Sequence, residues 1–210
     1  MSFTCANWRA WRRAGRLALV VPVALSLAGC GVNTVPTEQE NAKARWADVQ
    51  AAFQERANLI PNLAAVAKGA ATQEKGILVG VTEARAKATS IQLNAGDLTD
   101  PAKMKAIQDA QNQLSQSISG LGRLLANSEA YPVVKSIGNY QMLQSQLEGQ
   151  ENRVRIAIRD YNAAVQEYNT TIRTFPAIVA ARVIYGAQPM VPYQAVTPGA
   201  QVAPSLEGKL

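Results

Sequence analysis

The sequence predicts an all-α fold, an antiparallel, up-and-down four-helix bundle of long helices with heptad-like seams. Two observations carry this. Apolar residues recur at alternating steps of three and four along three stretches, a repeat that strands cannot produce. Between Pro36 and Phe175 the only prolines are Pro61, Pro101 and Pro132, so the region divides into a few long helices.

The N-terminus stands outside the bundle. Arg9, Arg12, Arg13 and Arg16 occur without an acid, an apolar run follows from Leu17 to Leu27, and small residues close it. That is the layout of a secretory signal. The run is eleven residues and contains Pro22, whereas a helix needs about twenty to cross a bilayer core. Leu27-Ala28-Gly29-Cys30 resembles a lipobox: Leu27 fills an apolar subsite, Ala28 and Gly29 admit a peptidase, and the Cys30 thiol takes the diacylglycerol. Residues 1–29 are therefore read as a lipoprotein signal peptide and 30–36 as a lipidated tether. Acyl chains contribute about 0.8 kcal/mol per buried methylene, so a lipid-modified Cys30 holds a protein on a bilayer without a spanning helix. Gly31 stands where an aspartate would signal retention at the inner membrane of a Gram-negative cell, which points to the outer membrane, facing the periplasm.

Loss of the leader removes four arginines from a formal charge of +6, leaving +2. No concentrated basic face remains, so a nucleic-acid partner is not expected. Cys5 leaves with the leader and Cys30 is consumed by lipid, so no disulfide is available. There is no histidine, which removes His-based triads and the usual zinc sites. Neither a metal nor a cofactor is expected, and an enzyme is the less favoured class.

The first stripe runs Trp46, Val49, Phe53, Arg56, Ile60, Leu63, Ala67, Ala70, Glu74, Ile77, Val81, Ala84, Ala88 and Ile91. Its phase survives Pro61, although proline removes a hydrogen bond and clashes with the Ala57 carbonyl. A kinked but continuous helix is expected, with Asn62–Ile91 matching Asp100–Glu129 at thirty residues each, about 45 Å. Gln92–Thr99, with Asn94, Gly96 and Asp97, makes the reversal. Trp46, Val49 and Phe53 then need a partner from the third helix, the Pro176–Tyr185 segment or another subunit.

The second stripe, Met104, Ile107, Gln111, Leu114, Ile118, Leu121, Leu125 and Ser128, opens with Asp100 as N-cap and Pro101 at the first helical position. The third runs Leu147, Glu151, Val154, Ile158, Tyr161, Val165, Tyr168, Ile172 and Phe175. Two apolar positions per heptad suit helices packed side by side at shallow angles. Residues 37–186 thus form the bundle. Residues 187–210, rich in proline and glycine without an apolar period, are expected to be a disordered tail.

Short motifs within this bundle resemble the LemA family. They are Trp46-Ala47-Asp48-Val49, Arg56 through Leu63, Glu74, Glu129 through Lys135, Glu151-Asn152, Arg159, Tyr161-Asn162, Tyr168-Asn169 and Phe175-Pro176. The resemblance covers roughly residues 36 to 186. Asn58 and Val134 depart from the family pattern, and a lipobox replaces the transmembrane helix with which many members begin. The resemblance implies a membrane-associated four-helix bundle and supplies no catalytic residues.

Arg56, Glu74 and Glu151 interrupt otherwise apolar stripes, and a buried charge is costly unless paired. Helix lengths place Glu129 about one turn from Arg56, so an Arg56–Glu129 pair is expected. The four residues Arg56, Glu74, Glu129 and Glu151 are read as a structural polar seam that sets helix register. Tyr161-Asn162 and Tyr168-Asn169 repeat at seven residues, with rings in the seam and amides bonding beside it. Faces such as Ala163–Ala164 and Gln111–Gln113 suit helix docking.

The function this supports is a non-catalytic, membrane-tethered scaffold. Its partners are the lipid bilayer, through lipidated Cys30, and an envelope protein or a second copy. The alternative is an envelope ligand-binding module or hydrolase using Glu74, Glu129 or Glu151 beside Arg56. A polar pocket holding those residues would favour the alternative, and a closed seam the scaffold.

Overall fold

The computed structural model describes residues 32–68, 75–126 and 138–194. Over these residues the chain is all-helical, with five α-helices, one short 3-10 helix and no strand. The helices are α1 (Thr34–Lys68), α2 (Lys75–Ser90), α3 (Pro101–Ala126), α4 (Gly138–Thr171) and α5 (Ala177–Val183), with a 3-10 turn at Ala95–Thr99 between α2 and α3. Cys30, Glu74 and Glu129 lie outside the described residues. Among those residues no helix is long and apolar enough to cross a membrane.

Pro61 lies inside α1, which runs on to Lys68. The expected continuation into one helix ending at Ile91 is not observed. Arg85 of α2 bonds to Ala57, and Gln50 bonds to Leu93 just beyond α2, so α2 runs antiparallel to α1. The stripe gave no warning because its positions from 67 to 74 are Ala67, Ala70 and Glu74, which carry little apolar bulk. Arg153 of α4 reaches Glu55 of α1 while Tyr161 packs on Trp46, so α4 also runs antiparallel to α1, and Gln111 of α3 reaches Ala88 of α2.

The start of α3 is as expected. The Asp100 carboxylate accepts the backbone N–H of Ala102 at 2.8 Å and of Lys103 at 3.3 Å, satisfying donors that a helix start leaves open. Pro101 has no N–H to waste there. The second stripe is buried at Met104, Ile107, Gln111, Leu114 and Leu121. The third is buried at Val154, Tyr161, Val165, Tyr168 and Ile172 and half-buried at Ile158, yet Phe175 is 81% exposed, because α4 ends at Thr171 and the helical period ends with it.

The apolar interior has two parts. One joins the first half of α1 to the second half of α4, with α5 and Leu98 of the 3-10 turn. Here Trp46 packs on Tyr161 with ring centroids 5.1 Å apart, which supplies the partner that the first stripe lacked. The other joins Ile60 and Leu63 to Val81 and Ala84 of α2, Leu114 and Leu121 of α3, and Leu143 of α4.

Beyond α5 the chain turns at Gly186, whose φ of 54° is a left-handed conformation that glycine takes without steric cost. Ala187 N–H reaches the Ala181 carbonyl at 2.8 Å, closing the helix as a Schellman turn does. Residues 187–194 then lie against α4, with Met190 and Tyr193 buried. The disordered tail expected from residue 187 is therefore not found over 187–194. Composition concealed this because the segment is held by α4 side chains and needs no apolar period of its own.

Candidate functional site

Arg56 sits at the junction of the two apolar parts, between Phe53 and Ile60 on α1. Its residue is only 2% exposed. One Nη donates to Glu151 of α4 at 2.7 Å and to Ser115 of α3 at 2.9 Å, while the other donates to the Gln111 side-chain oxygen. The Gln111 amide in turn reaches the Ala88 carbonyl at the end of α2. One guanidinium thus ties four helices at a single level. Its plane also lies over Phe53, with the central carbon 5.6 Å from the ring centroid, a cation–π contact.

The charge is buried only on one side. The Glu151 side chain keeps 44% of its surface exposed, so the pair stands at the floor of an opening rather than in a sealed core. The backbones of α3 and α4 stand apart, and a cleft of about 520 Å³ lies between them over Arg56, Gln111 and Glu151. Ser119 and Arg123 line its α3 side, Arg155 and Ile158 its α4 side. A second hollow of about 420 Å³ shares Ser119, Glu151 and Arg155 and extends the groove towards Leu63 and Leu147.

The C-terminal strap closes one end of this cleft. Tyr193 lines it, and its ring lies 5.9 Å from that of Phe53. Burial pushes the Tyr193 phenol up to about 12, because the phenolate would lose its hydration there. The strap is read by two repeats on α4. The Asn162 amide donates to the Tyr193 carbonyl and accepts the Tyr193 N–H, both at 2.8 Å. Asn169 does the same with Met190, at 2.8 and 2.9 Å. Tyr161 and Tyr168 hydroxyls donate to the carbonyls of Val191 and Gln188. Seven residues of helix, about 10 Å, therefore match three residues of extended chain, about 9 to 10 Å.

Two of the polar seam residues are thus brought together, Arg56 and Glu151. Among the described residues the carboxylate that meets Arg56 is Glu151; the expected partner Glu129 lies outside them, with Glu74 and Cys30. Ser115 and Tyr193 were not anticipated. Gln111 was assigned to a docking face but is 4% exposed, and Ala164 is likewise buried, while Ala163 and Gln113 do face outward. The available signal for Gln111 was its place on the second stripe, where an amide among apolar residues asks for a buried polar partner. The Asn162 and Asn169 amides do bond to backbone, but to the strap. No group of three or more carboxylates and cysteines able to hold a metal occurs among the described residues.

Comparison with known proteins agrees with the motifs. Magnetosome protein MamQ 2 and magnetosome protein MamQ 1 of Paramagnetospirillum magneticum (strain ATCC 700264 / AMB-1) are each 27% identical to this chain over 158 residues. Magnetosome protein MamQ of Magnetospirillum gryphiswaldense is 26% identical over 162 residues. Each alignment covers 69% of this chain and 58% of the relative, so the chain spans rather more than half the length of the proteins it matches. The sequence profile of the LemA family matches residues 45–207, most of the chain, and the protein belongs to that family.

Proposed function

We propose that this protein is a non-catalytic, lipid-tethered helical module of the cell envelope that receives a helix of a partner protein in the groove between α3 and α4. The four long helices act as one up-and-down bundle, carried on the outer membrane by lipidated Cys30 and facing the periplasm. Relatives named as magnetosome proteins are in keeping with membrane association.

The observation that carries the reading is the open α3–α4 seam above the Arg56–Glu151 ion pair. A bundle that served only as a spacer would gain by closing that seam, since apolar burial contributes about 25 cal/mol per Å². The groove is long, lined by Ile118, Leu147 and Ile158 as well as polar groups, and rimmed by the exposed Arg123 and Arg155. An amphipathic helix with an acidic flank fits that combination.

A photo-crosslinker placed at Gln116 or Ser119 in intact cells should give one defined adduct. The same crosslinker at Gln113, outside the groove, should not, and reversing Arg123 and Arg155 to glutamate should abolish the adduct. Equal adducts from all three sites, or none, would sink the reading. The polar floor also favours a second reading, a small-ligand module using Arg56 with Glu151. Ligand-dependent shifts of Ser115 and Ser119 resonances without any crosslinked protein would select it.

A further inference from the structure

Most of the large apolar side chains exposed among the described residues gather within eleven positions. Phe175 is 81% exposed, Val179 56%, Val183 79% and Ile184 61%. Phe175, Val179 and Val183 are spaced by four, so they line the outer side of α5 and its approach, while Ala177, Ala180 and Ala181 face inward. Contiguous exposed apolar surface of this kind marks a contact site. No acid occurs from Tyr168 to Gln194, whereas Arg173 and Arg182 are both exposed within that span. The nearest acids on the neighbouring first turns of α1 are Glu38 and Glu40, and Glu40 is paired with Lys43 at 2.5 Å.

The position of the patch identifies its occupant. Val35, on the first turn of α1, shares a buried cluster with Ala177 and Ala181 of α5. Cys30 lies four residues before the start of α1, and the apolar run Leu17–Leu27 lies just before that. Whatever fixes the N-terminus to a bilayer therefore fixes this end of the bundle close to it.

We infer that the Phe175–Ile184 face rests on the membrane surface, with Phe175, Val179 and Val183 entering the boundary between headgroups and acyl chains and Arg173 and Arg182 meeting anionic phosphates. Amphipathic surfaces bind bilayers in this way through apolar area combined with basic charge. A patch this small needs help, and the tether supplies it by holding the patch at high effective concentration. The bundle then stands on its α5 end, with the α3–α4 groove presented away from the bilayer. The inference rests on the tethering reading given above.

The test uses the full-length, lipidated protein, in which Cys30 is blocked, carrying a single new cysteine labelled with an environment-sensitive fluorophore. Val179→Cys and Val183→Cys report on the patch. Val79→Cys, on α2 and as exposed as Val179, is the control. On vesicles of phosphatidylethanolamine and phosphatidylglycerol, emission from positions 179 and 183 should shift to the blue and be quenched by lipids spin-labelled near the headgroup, while position 79 stays unchanged. Protein that floats with vesicles but keeps water-like emission at 179 and 183 would overturn the inference and leave the tether intact. Failure to float would overturn both. A blue shift that appears without vesicles and grows with protein concentration would also overturn it, assigning the face to a second copy.

Discussion

The Arg85 side chain donates its Nε–H to the Ala57 carbonyl at 2.8 Å. Ala57 is the residue four before Pro61, and proline has no N–H to offer that carbonyl. A side chain of α2 thus takes the place of the missing helical donor in α1. This explains how a proline sits within a 35-residue helix, and it fixes α2 against α1 at one level.

Arg85→Ala should cost about 1–2 kcal/mol, the penalty for leaving a buried acceptor unsatisfied. In a Pro61→Ala background the same change should cost much less, because an N–H at position 61 can bond to Ala57. Urea unfolding of the four variants measures the coupling; additive effects would contradict the assignment.

Arg56→Ala should destabilise by about 3–5 kcal/mol, since it leaves the buried Gln111 side chain without its partner and opens a cavity at the centre of four helices. Glu151→Gln keeps an acceptor for the guanidinium but leaves the buried Arg56 charge without its counter-charge, and should cost about 2 kcal/mol. Arg56→Lys should fall between them, as an ammonium lacks the planar fork that meets three partners. Thermal and chemical denaturation give the order.

Asn162→Ala and Asn169→Ala each remove two bonds to the strap. Each should release that segment more than it weakens the bundle, and hydrogen exchange reads the difference. The Met190 and Tyr193 amides should exchange faster by about tenfold or more, consistent with loss of about 1.5–3 kcal/mol locally, while amides of α3 keep their protection.

Alkaline pH should loosen the strap. Burial raises the Tyr193 phenol from about 10 in the unfolded chain to about 12. The unfolded chain therefore loses its proton first, so the stabilising contribution is complete below pH 10 and falls away as pH rises towards 12. Tyr193→Phe should make a stability–pH curve recorded between pH 9 and 12 less steep, the remaining slope coming from Tyr161 and Tyr168, which burial also pushes up.

The parts of the fold legible in the sequence were those with local causes. Asp100 and Pro101 specify a helix start by their own chemistry, and the 3–4 stripes identify which faces of α1, α3 and α4 are buried. Arg56 and Glu151 stood out because charge on an apolar stripe demands a partner. Two things were not legible. The antiparallel course of α2 against α1 left no mark in a stripe carried between them by alanines, and the Arg56–Glu151 pair joins residues 95 apart in sequence, which no local pattern records. The strap was hidden because Asn162 and Asn169 recognise backbone atoms, which any residue type supplies, so residues 187–194 need show no pattern of their own.

One buried guanidinium on α1, with Gln111 as its relay to α2, fastens the four long helices beneath the α3–α4 groove. Side-chain NMR of Arg56 tests it most directly. The Nη protons should be resolved, slow to exchange with water, and show cross-peaks to Gln111 and Ser115. A single averaged, rapidly exchanging signal, such as the exposed Arg153 should give, would contradict the account.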